Sequence, residues 1–91
     1  MATQKSIHSD EYRRLVEWLK AARKLHGMTM RQLGKRMGVS HTWIQKVEQC
    51  ERRLDLIELV QLCRALKLDP VQGVNIIKKM KSKAQAPIEK T

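Results

Sequence analysis

The chain has 91 residues, of which 42% are hydrophobic, and this length fits one small domain with little room for a second. Nineteen Lys and Arg against nine Asp and Glu give a formal net charge of +10. That charge favours a polyanionic partner and argues against an enzyme of small neutral substrates, although a surface that is basic only for solubility is the plain alternative.

Several classes of protein are disfavoured by what the sequence lacks. No stretch reaches the roughly 20 apolar residues of a membrane span, and no signal-peptide core is present, so we expect a cytoplasmic protein without a membrane partner. Cys50 and Cys63 are too few for a disulfide framework and have no metal-ligand spacing with the three histidines. Without a phosphate-cradling glycine loop, an HExxH motif or paired acids, we expect no enzyme, cofactor, metal or small-molecule substrate.

The first helix follows a segment without periodicity. Residues 1–8 are predicted to be a flexible N-terminal segment ahead of a domain that spans 9–80. Ser9 can cap a helix, and apolar residues then recur at helical spacing until Gly27, which is a natural stop. The pattern predicts a first helix over 10–25.

Two short helices come next in the chain. Thr29 and Gln32 have the spacing of a capping box, in which two side chains satisfy backbone donors reciprocally. This box opens a second helix, predicted over 30–37. Ser40 can cap a third helix, predicted from 41 to about 49.

The remaining helices are also marked at their starts. Asp55 and Glu58 form another capping pattern, and Asp69 precedes a proline at the first position of a fifth helix. Residues 81–91 are polar, without a pattern, and are predicted to be a flexible basic tail. The predicted fold class is therefore all-α, with five short helices. The fourth helix is expected to bury a stripe formed by Leu56, Leu59, Val60, Cys63 and Leu66.

The short interruption between the second and third helices is the most informative feature. Gly38 can adopt left-handed backbone angles, and a turn of only three residues forces the next helix to cross the previous one steeply. Gly34 lacks a side chain, which suits a point where the two helices meet. This arrangement is typical of a helix-turn-helix. The crossing is expected to be held by Leu33, Met37, Val39, Ile44 and Val47.

The third helix displays a polar row on the side opposite its apolar residues. At about 100° per residue, Thr42 and Gln45 point outward and are flanked by His41 and Lys46. Such a row near a helix N-terminus suits the major groove, where Lys46 can donate to guanine and Gln45 can pair with adenine. An ordinary exposed helix is also polar outside, so the row is informative only together with the turn and the basic surroundings.

The chain resembles the Cro/repressor (Xre-type) helix-turn-helix family of bacterial and phage regulators over roughly residues 20–69. The resemblance is carried by GMTMRQLGKRMGVSHTWIQKVE, ERRLD and ELVQLCRALKLDP. It implies a five-helix, lambda-repressor-like domain that binds double-stranded DNA as a homodimer on an inverted-repeat operator, with the third helix in the major groove. A repressor is favoured over an activator, because occluding a promoter needs nothing beyond these parts.

The resemblance also implies roles for individual residues. It pairs Arg23 of the first helix with Glu48 of the third, against the alternative of two unrelated surface charges. Base contacts are implied for His41, Thr42, Gln45 and Lys46, and backbone contacts for Thr29, Met30, Ser40, Arg52 and Arg53. The charge of the second helix, rather than the resemblance, predicts backbone contacts for Arg31 and Lys35 as well. Trp43 lies at the edge of the apolar face of the third helix and is equally compatible with a contact to the DNA backbone and with covering the junction of the second and third helices.

Three positions depart from the family pattern. Met30 replaces a frequent glutamine, so one side-chain contact to phosphate is expected to be missing while backbone amides remain available. Cys50 stands at the usual glycine position after the third helix, which predicts a different exit from that helix. Lys67 replaces another common glycine at the end of the fourth helix.

The fifth helix leaves a second function open. Its apolar residues cover a wider arc than the ~100° stripe that one core contact requires. One side can pack on the domain while the other meets a second copy, or the helix can simply be well buried. The alternative function is an antitoxin-like or accessory module that binds another protein, such as a toxin or regulator, with DNA binding secondary. The candidate interface residues are Val74, Ile76, Ile77 and Met80.

Overall fold

The structure is a computed structural model that describes residues 9–80, so the segments predicted to be flexible, 1–8 and 81–91, lie outside the described residues. Within the described range the chain is helical, without strands, and the all-α prediction is confirmed. For the first three helices, whose bounds were predicted, the ends differ from the predicted ones by at most one residue. The five helices are α1 (Asp10–Leu25), α2 (Met30–Met37), α3 (His41–Glu48), α4 (Leu56–Ala65) and α5 (Pro70–Lys79).

Every helix begins where a polar side chain accepts a backbone N–H. At the start of α2, the Thr29 hydroxyl accepts from Gln32 at 3.0 Å and the Gln32 side chain accepts from Thr29 at 2.8 Å. Asp55 and Glu58 form the same reciprocal box before α4, at 2.7 and 3.0 Å. Each cap contributes about 1 kcal/mol, which matters for helices this short. Ser9, Ser40 and Asp69 are the single side-chain caps of α1, α3 and α5.

The core lies where α1 to α4 converge, and its packing is close. A void of about 10 Å³ remains among the apolar residues of these helices, too small to hold more than one water molecule. One sequence expectation about the core is wrong. Leu56 is 68% exposed, and Leu62 lies in the buried stripe of α4 in its place. The most deeply buried side chains are Leu33, Ile44, Leu66, Val16, Val47 and Cys63.

The turn between α2 and α3 depends on two glycines for different reasons. Gly38 has φ +75°, the left-handed conformation that ends α2, and it has open space around it. Gly34 is buried, and a Cβ atom there would lie 2.6 Å from the carbonyl oxygen of Val39. The Val39 N–H donates to the Gly34 carbonyl oxygen at 2.8 Å, which closes the turn. The predicted close meeting of the two helices at Gly34 is confirmed.

The exits from α3 and α4 correct the expectation drawn from the missing glycines. Cys50 and Lys67 have φ of +59° and +58°, the left-handed conformation that glycine would adopt there. After Cys50, the Glu51 N–H reaches back to the Lys46 carbonyl oxygen at 2.8 Å. The exit is thus of the usual Schellman type rather than a different one. The backbone hydrogen bonds of this motif outweigh a conformational cost of about 1–2 kcal/mol for a non-glycine residue.

Helix α5 is positioned by its packing on α1. Gly73 is the buried residue of α5, and a Cβ atom there would lie 2.8 Å from the indole ring of Trp18. This close approach turns the opposite side of α5 to solvent, where Val71 is 60% and Val74 49% exposed. The fifth helix is therefore not a uniformly buried one.

Candidate nucleic-acid interface

Helix α3 presents the polar row that its sequence predicts. Ile44 and Val47 are 1% and 2% exposed and anchor the helix in the core. Thr42, Gln45 and Lys46 are exposed on the other side, and His41 is half-buried at the first turn. The predicted phase of the helix is confirmed, because burial of the apolar pair leaves the polar side chains no other direction.

A basic groove, lined by residues of α2 and the start of α3, lies beside this row. Its volume is about 450 Å³ and it is open to solvent. None of the lining residues is acidic, and the groove includes the first residues of α3, where the helix dipole favours an anion. The groove is therefore suited to a phosphate group. Its lining residues are Arg31, Gln32, Lys35, Val39, Ser40 and His41.

The start of α2 offers its backbone rather than its side chains. Met30 is half-buried and packs against the core, so its thioether is directed inward. The Thr29 hydroxyl accepts the Gln32 N–H of the capping box, so its position is held by the cap while its own proton can still be donated. Backbone amides of the first turn, which lack partners within a helix, are the donors that this end of α2 can supply to an anion.

The segment between α3 and α4 is held by Tyr12, a residue to which the sequence analysis assigned no role. The buried phenol of α1 donates to the Arg52 carbonyl oxygen at 2.7 Å and accepts from the Leu54 N–H at 3.1 Å. Burial raises the pKa of the Tyr12 phenol, so the donor proton is retained at neutral pH. Arg53 is exposed within this segment. A tyrosine among apolar core residues was the available signal, but no sequence pattern joins it to residues 40 positions away.

Arg52 is engaged within the protein. Its Nη2 lies 2.6 Å from Oε2 of Glu58, the residue that completes the capping box of α4. Its guanidinium carbon lies 5.1 Å from the centroid of the Trp43 ring, within the range of a cation–π contact. Trp43 is half-buried and also packs on the core. From the sequence, Arg52 and Trp43 are separate candidates for the DNA backbone, and no pattern relates one to the other.

Arg23 and Glu48 form the ion pair that the resemblance implies. Nε and Nη2 of Arg23 lie 2.6 and 3.0 Å from the two carboxylate oxygens of Glu48. The pair joins α1 to the last residue of α3. It belongs to the scaffold under the polar row rather than to the exposed surface, because both side chains are buried.

The candidate interface residues on α5 divide into two groups. Val74 is exposed, whereas Ile76, Ile77 and Met80 are half-buried, and Ile77 packs against the core. The sequence analysis gave no interface role to Val71, the more exposed valine of α5. Leu56 and Ile57 at the start of α4 are also exposed apolar residues, and the single buried stripe predicted for α4 did not indicate this.

Two other kinds of site are not evident in the part of the chain that the structure describes. No group of three or more His, Cys, Asp and Glu side chains there could hold a metal ion. Burial raises the pKa of the Cys63 thiol, which is the behaviour of a structural cysteine. None of the described helices is long and apolar enough to cross a membrane.

Comparison with known proteins places this architecture in a class. The family model for the helix-turn-helix matches residues 19–72, from the end of α1 to the start of α5. The chain is therefore a helix-turn-helix protein, a DNA-binding regulator rather than an enzyme.

The particular family follows from a solved structure. An XRE-family like protein from Pseudomonas syringae pv. tomato str. DC3000 is similar to the chain with a TM-score of 0.76 and 33% sequence identity. The similarity covers 90% of this chain and 100% of that one. The protein belongs to the XRE family of helix-turn-helix proteins. The search of curated proteins gave no match.

Proposed function

We propose that the protein is a repressor that binds an inverted-repeat operator in double-stranded DNA as a homodimer. The observation that carries this proposal is the exposed polar row of α3 beside an acid-free basic groove. Helix α3 enters the major groove, and occupation of the operator blocks a promoter. The protein acts in the cytoplasm of a bacterium, where operator DNA is found.

Base recognition is assigned to the polar row. Lys46 donates to guanine acceptors, Gln45 pairs with adenine, and the methyl group of Thr42 contacts a thymine methyl. All three side chains are exposed, so they need no rearrangement of the core to reach base edges. His41 lines the basic groove as well as flanking the row, so it lies between base and phosphate.

Phosphate contacts are assigned to the surroundings of the row. Arg31 and Lys35 share the groove with Ser40, so one phosphate of the DNA backbone can meet two cations there. Amides at the start of α2, next to Thr29 and Met30, and the exposed Arg53 extend this contact along the strand. These contacts release counterions and supply affinity that depends on salt but not on sequence. Arg52 is left out of the set because Glu58 already binds its guanidinium.

The homodimer is assigned to the outer side of α5. Val71 and Val74 are exposed there, opposite Gly73, and isolated from the core. Ile76 and Met80 are half-buried and remain candidate members of the interface, while Ile77 packs against the core. A two-fold dimer matches a palindromic operator when its recognition helices are about 34 Å apart.

A second candidate function is favoured by a specific observation. Leu56 and Ile57 at the start of α4 are 68% and 64% exposed, and they lie outside the α5 surface assigned to the dimer. An antitoxin-like or accessory protein would use such residues to bind a different protein. In that case DNA binding would serve mainly to regulate the protein's own gene.

Selection of bound duplexes from a randomised DNA pool, at near-physiological salt, tests the main proposal. Enrichment of an inverted repeat with half-sites about one helical turn apart is the expected result. Binding that falls with salt but enriches no motif would refute base reading by α3 and favour the protein-binding alternative. Sedimentation of the protein alone tests the dimer separately.

A further inference from the structure

Arg52 is anchored at its backbone as well as its side chain. Its carbonyl oxygen accepts from the buried Tyr12 phenol at 2.7 Å, and its Nη2 lies 2.6 Å from the Glu58 carboxylate. Its Nε is buried without a hydrogen-bond partner. Leaving a buried donor unsatisfied is unfavourable, and a solvent-directed arginine would avoid this cost. The conformation is therefore maintained by what the guanidinium contacts inside the protein.

Trp43 is the contact that explains this conformation. Its ring lies 5.1 Å from the guanidinium carbon of Arg52. Trp43 is the third residue of α3, and its backbone N–H donates to the hydroxyl of the Ser40 cap at 3.1 Å. The ring and the cap thus belong to the same turn, next to Thr42 in the polar row. A contact that holds the indole ring therefore also acts on the first turn of α3.

Arg52 and Trp43 together form a clamp, which Glu58 connects to α4. One carboxylate oxygen accepts from Arg52 and the other accepts from the Asp55 N–H at 3.0 Å, where it completes the capping box. The start of α4 therefore positions the Glu58 carboxylate, and this carboxylate positions the Arg52 guanidinium. The guanidinium in turn lies over the Trp43 indole ring. The first two contacts are direct hydrogen bonds of 3.0 and 2.6 Å, and the third is a cation–π contact of 5.1 Å to the ring centroid.

We propose that Arg52 is a positioning residue for α3. Arg52 affects DNA binding through its contact with Trp43 and not by neutralising a phosphate. The inference rests on the proposed function, because it assigns a role within DNA recognition. The opposing role is a direct phosphate contact, and the 40% exposure of the Arg52 side chain makes that role sterically open. The two roles predict different salt dependence and opposite effects of removing Glu58.

Binding of three variants to the selected operator and to a random duplex, over a range of salt, separates the two roles. Arg52→Ala and Glu58→Gln are both expected to lower operator affinity roughly threefold to tenfold. The first removes the guanidinium from the Trp43 ring, and the second removes the carboxylate that holds it there. The salt slope of both variants should stay at the wild-type value. Arg52→Ala should bind the random duplex as the wild type does, and Glu58→Gln should bind it as Glu51→Gln does. Glutamine can still accept the Asp55 N–H, so the cap is kept. Glu51→Gln is the matched control, because it makes the same charge change at an exposed neighbouring residue.

Two results would overturn the inference. A salt slope reduced by about 0.9 in Arg52→Ala would show a lost phosphate contact. Tighter binding of Glu58→Gln than of Glu51→Gln to both duplexes would show that Glu58 had been withholding Arg52 from DNA. If Arg52→Ala is unfolded, Glu58→Gln and Arg52→Lys decide the question. Lysine keeps the charge but not the planar group, so we expect it to lose operator affinity while keeping the salt slope.

Fluorescence without DNA tests the clamp independently of the proposed function. In a Trp18→Phe background, Trp43 is the remaining tryptophan of the chain. Arg52→Ala should shift the emission of Trp43 to longer wavelength and make this fluorescence easier to quench with acrylamide. Unchanged emission and quenching would refute the clamp. A wild-type protein that selects no operator, with these changes present, would refute the proposed function instead.

Discussion

Arg23 of α1 and Glu48 of α3 are joined by two hydrogen bonds of 2.6 and 3.0 Å, and their side chains are 9% and 6% exposed. The remaining Arg23 nitrogen, Nη1, donates to the Met28 carbonyl oxygen at 2.8 Å. One guanidinium thus ties the end of α3 to α1 and to the loop before α2. The orientation of α3 therefore depends on a buried charge whose partners are all supplied by the protein.

Removing one member of this pair should be strongly destabilising. Glu48→Ala is expected to lower the free energy of unfolding by about 3–5 kcal/mol, because it leaves the Arg23 charge buried without its partner. Urea denaturation followed by circular dichroism measures the change. Arg13→Ala is the control, since its 4.0 Å pair with Asp10 is exposed and should matter by less than about 1 kcal/mol. A Glu48→Ala loss as small as that of the control would show that the pair contributes little.

Gly34→Ala, which adds one methyl group, should disturb the turn between α2 and α3. The new Cβ would lie 2.6 Å from the Val39 carbonyl oxygen, so α3 must move, at a cost of about 1–3 kcal/mol. Operator affinity should fall even at temperatures where the variant is folded. Gly27→Ala is the control: it has φ +69° but open space, so stability should fall while operator affinity of the folded protein is kept. Equal operator affinity for the two folded variants would argue against the close contact.

Replacing the left-handed lysine after α4 with glycine should stabilise the protein. Lys67 has φ +58° and is exposed, so Lys67→Gly is expected to gain about 1 kcal/mol from relief of the backbone conformation. Cys50 is a less suitable test, because its side chain packs against the core. Gln61→Gly, at an exposed position within α4, should lose about 1 kcal/mol. If both glycine variants lose stability in thermal unfolding, the left-handed exit is not strained.

Two lysines should separate base reading from phosphate binding. Lys46→Ala is expected to relax preference at one base step and to cost about 1–3 kcal/mol on the operator. Lys35→Ala should weaken binding to all duplexes similarly and reduce the salt slope by about 0.9. Titrations of the operator, its single-base variants and a random duplex measure both effects. A loss in Lys46→Ala that is equal on every sequence would remove this residue from base recognition.

A charge on the outer side of α5 should disrupt the proposed homodimer. Val74→Glu places a carboxylate in the expected apolar interface without filling the core, because Val74 is 49% exposed. Analytical ultracentrifugation should show a monomer, with cooperative binding to the two half-sites lost. Leu25→Glu, at an apolar residue outside the proposed interface, is the control and should remain dimeric. Val74→Glu that remains a dimer would place the interface elsewhere.

Much of the local structure could be predicted because its causes are local. Thr29 with Gln32, and Asp55 with Glu58, satisfy backbone donors three residues away, so a helix start is visible within four letters. The polar row of α3 was predictable for the same reason, since a helical period and two apolar residues determine which side faces outward. The steep turn at Gly38 could also be predicted, from the shortness of the turn and from the glycine itself.

The two errors concern the first turn of α4 and the exit from α3, whereas the omissions concern residues whose neighbours are distant in sequence. Leu56 fits the period of the α4 stripe, yet the first turn of that helix extends beyond the core and Leu62 is buried instead. Cys50 was expected to change the exit of α3 because glycine is missing. The backbone hydrogen bonds of the exit proved stronger than that preference.

The sequence alone determined the helices, their caps, the helix-turn-helix and the exposed polar row of α3, because each follows from interactions within a few residues. The tertiary structure alone decided that Tyr12 holds the segment after α3 and that Arg52 covers Trp43. It also decided which side of α5 is left open, through the approach of Gly73 to Trp18. These relationships join residues 9 to 55 positions apart, and their geometry exists only after the core has brought the helices together.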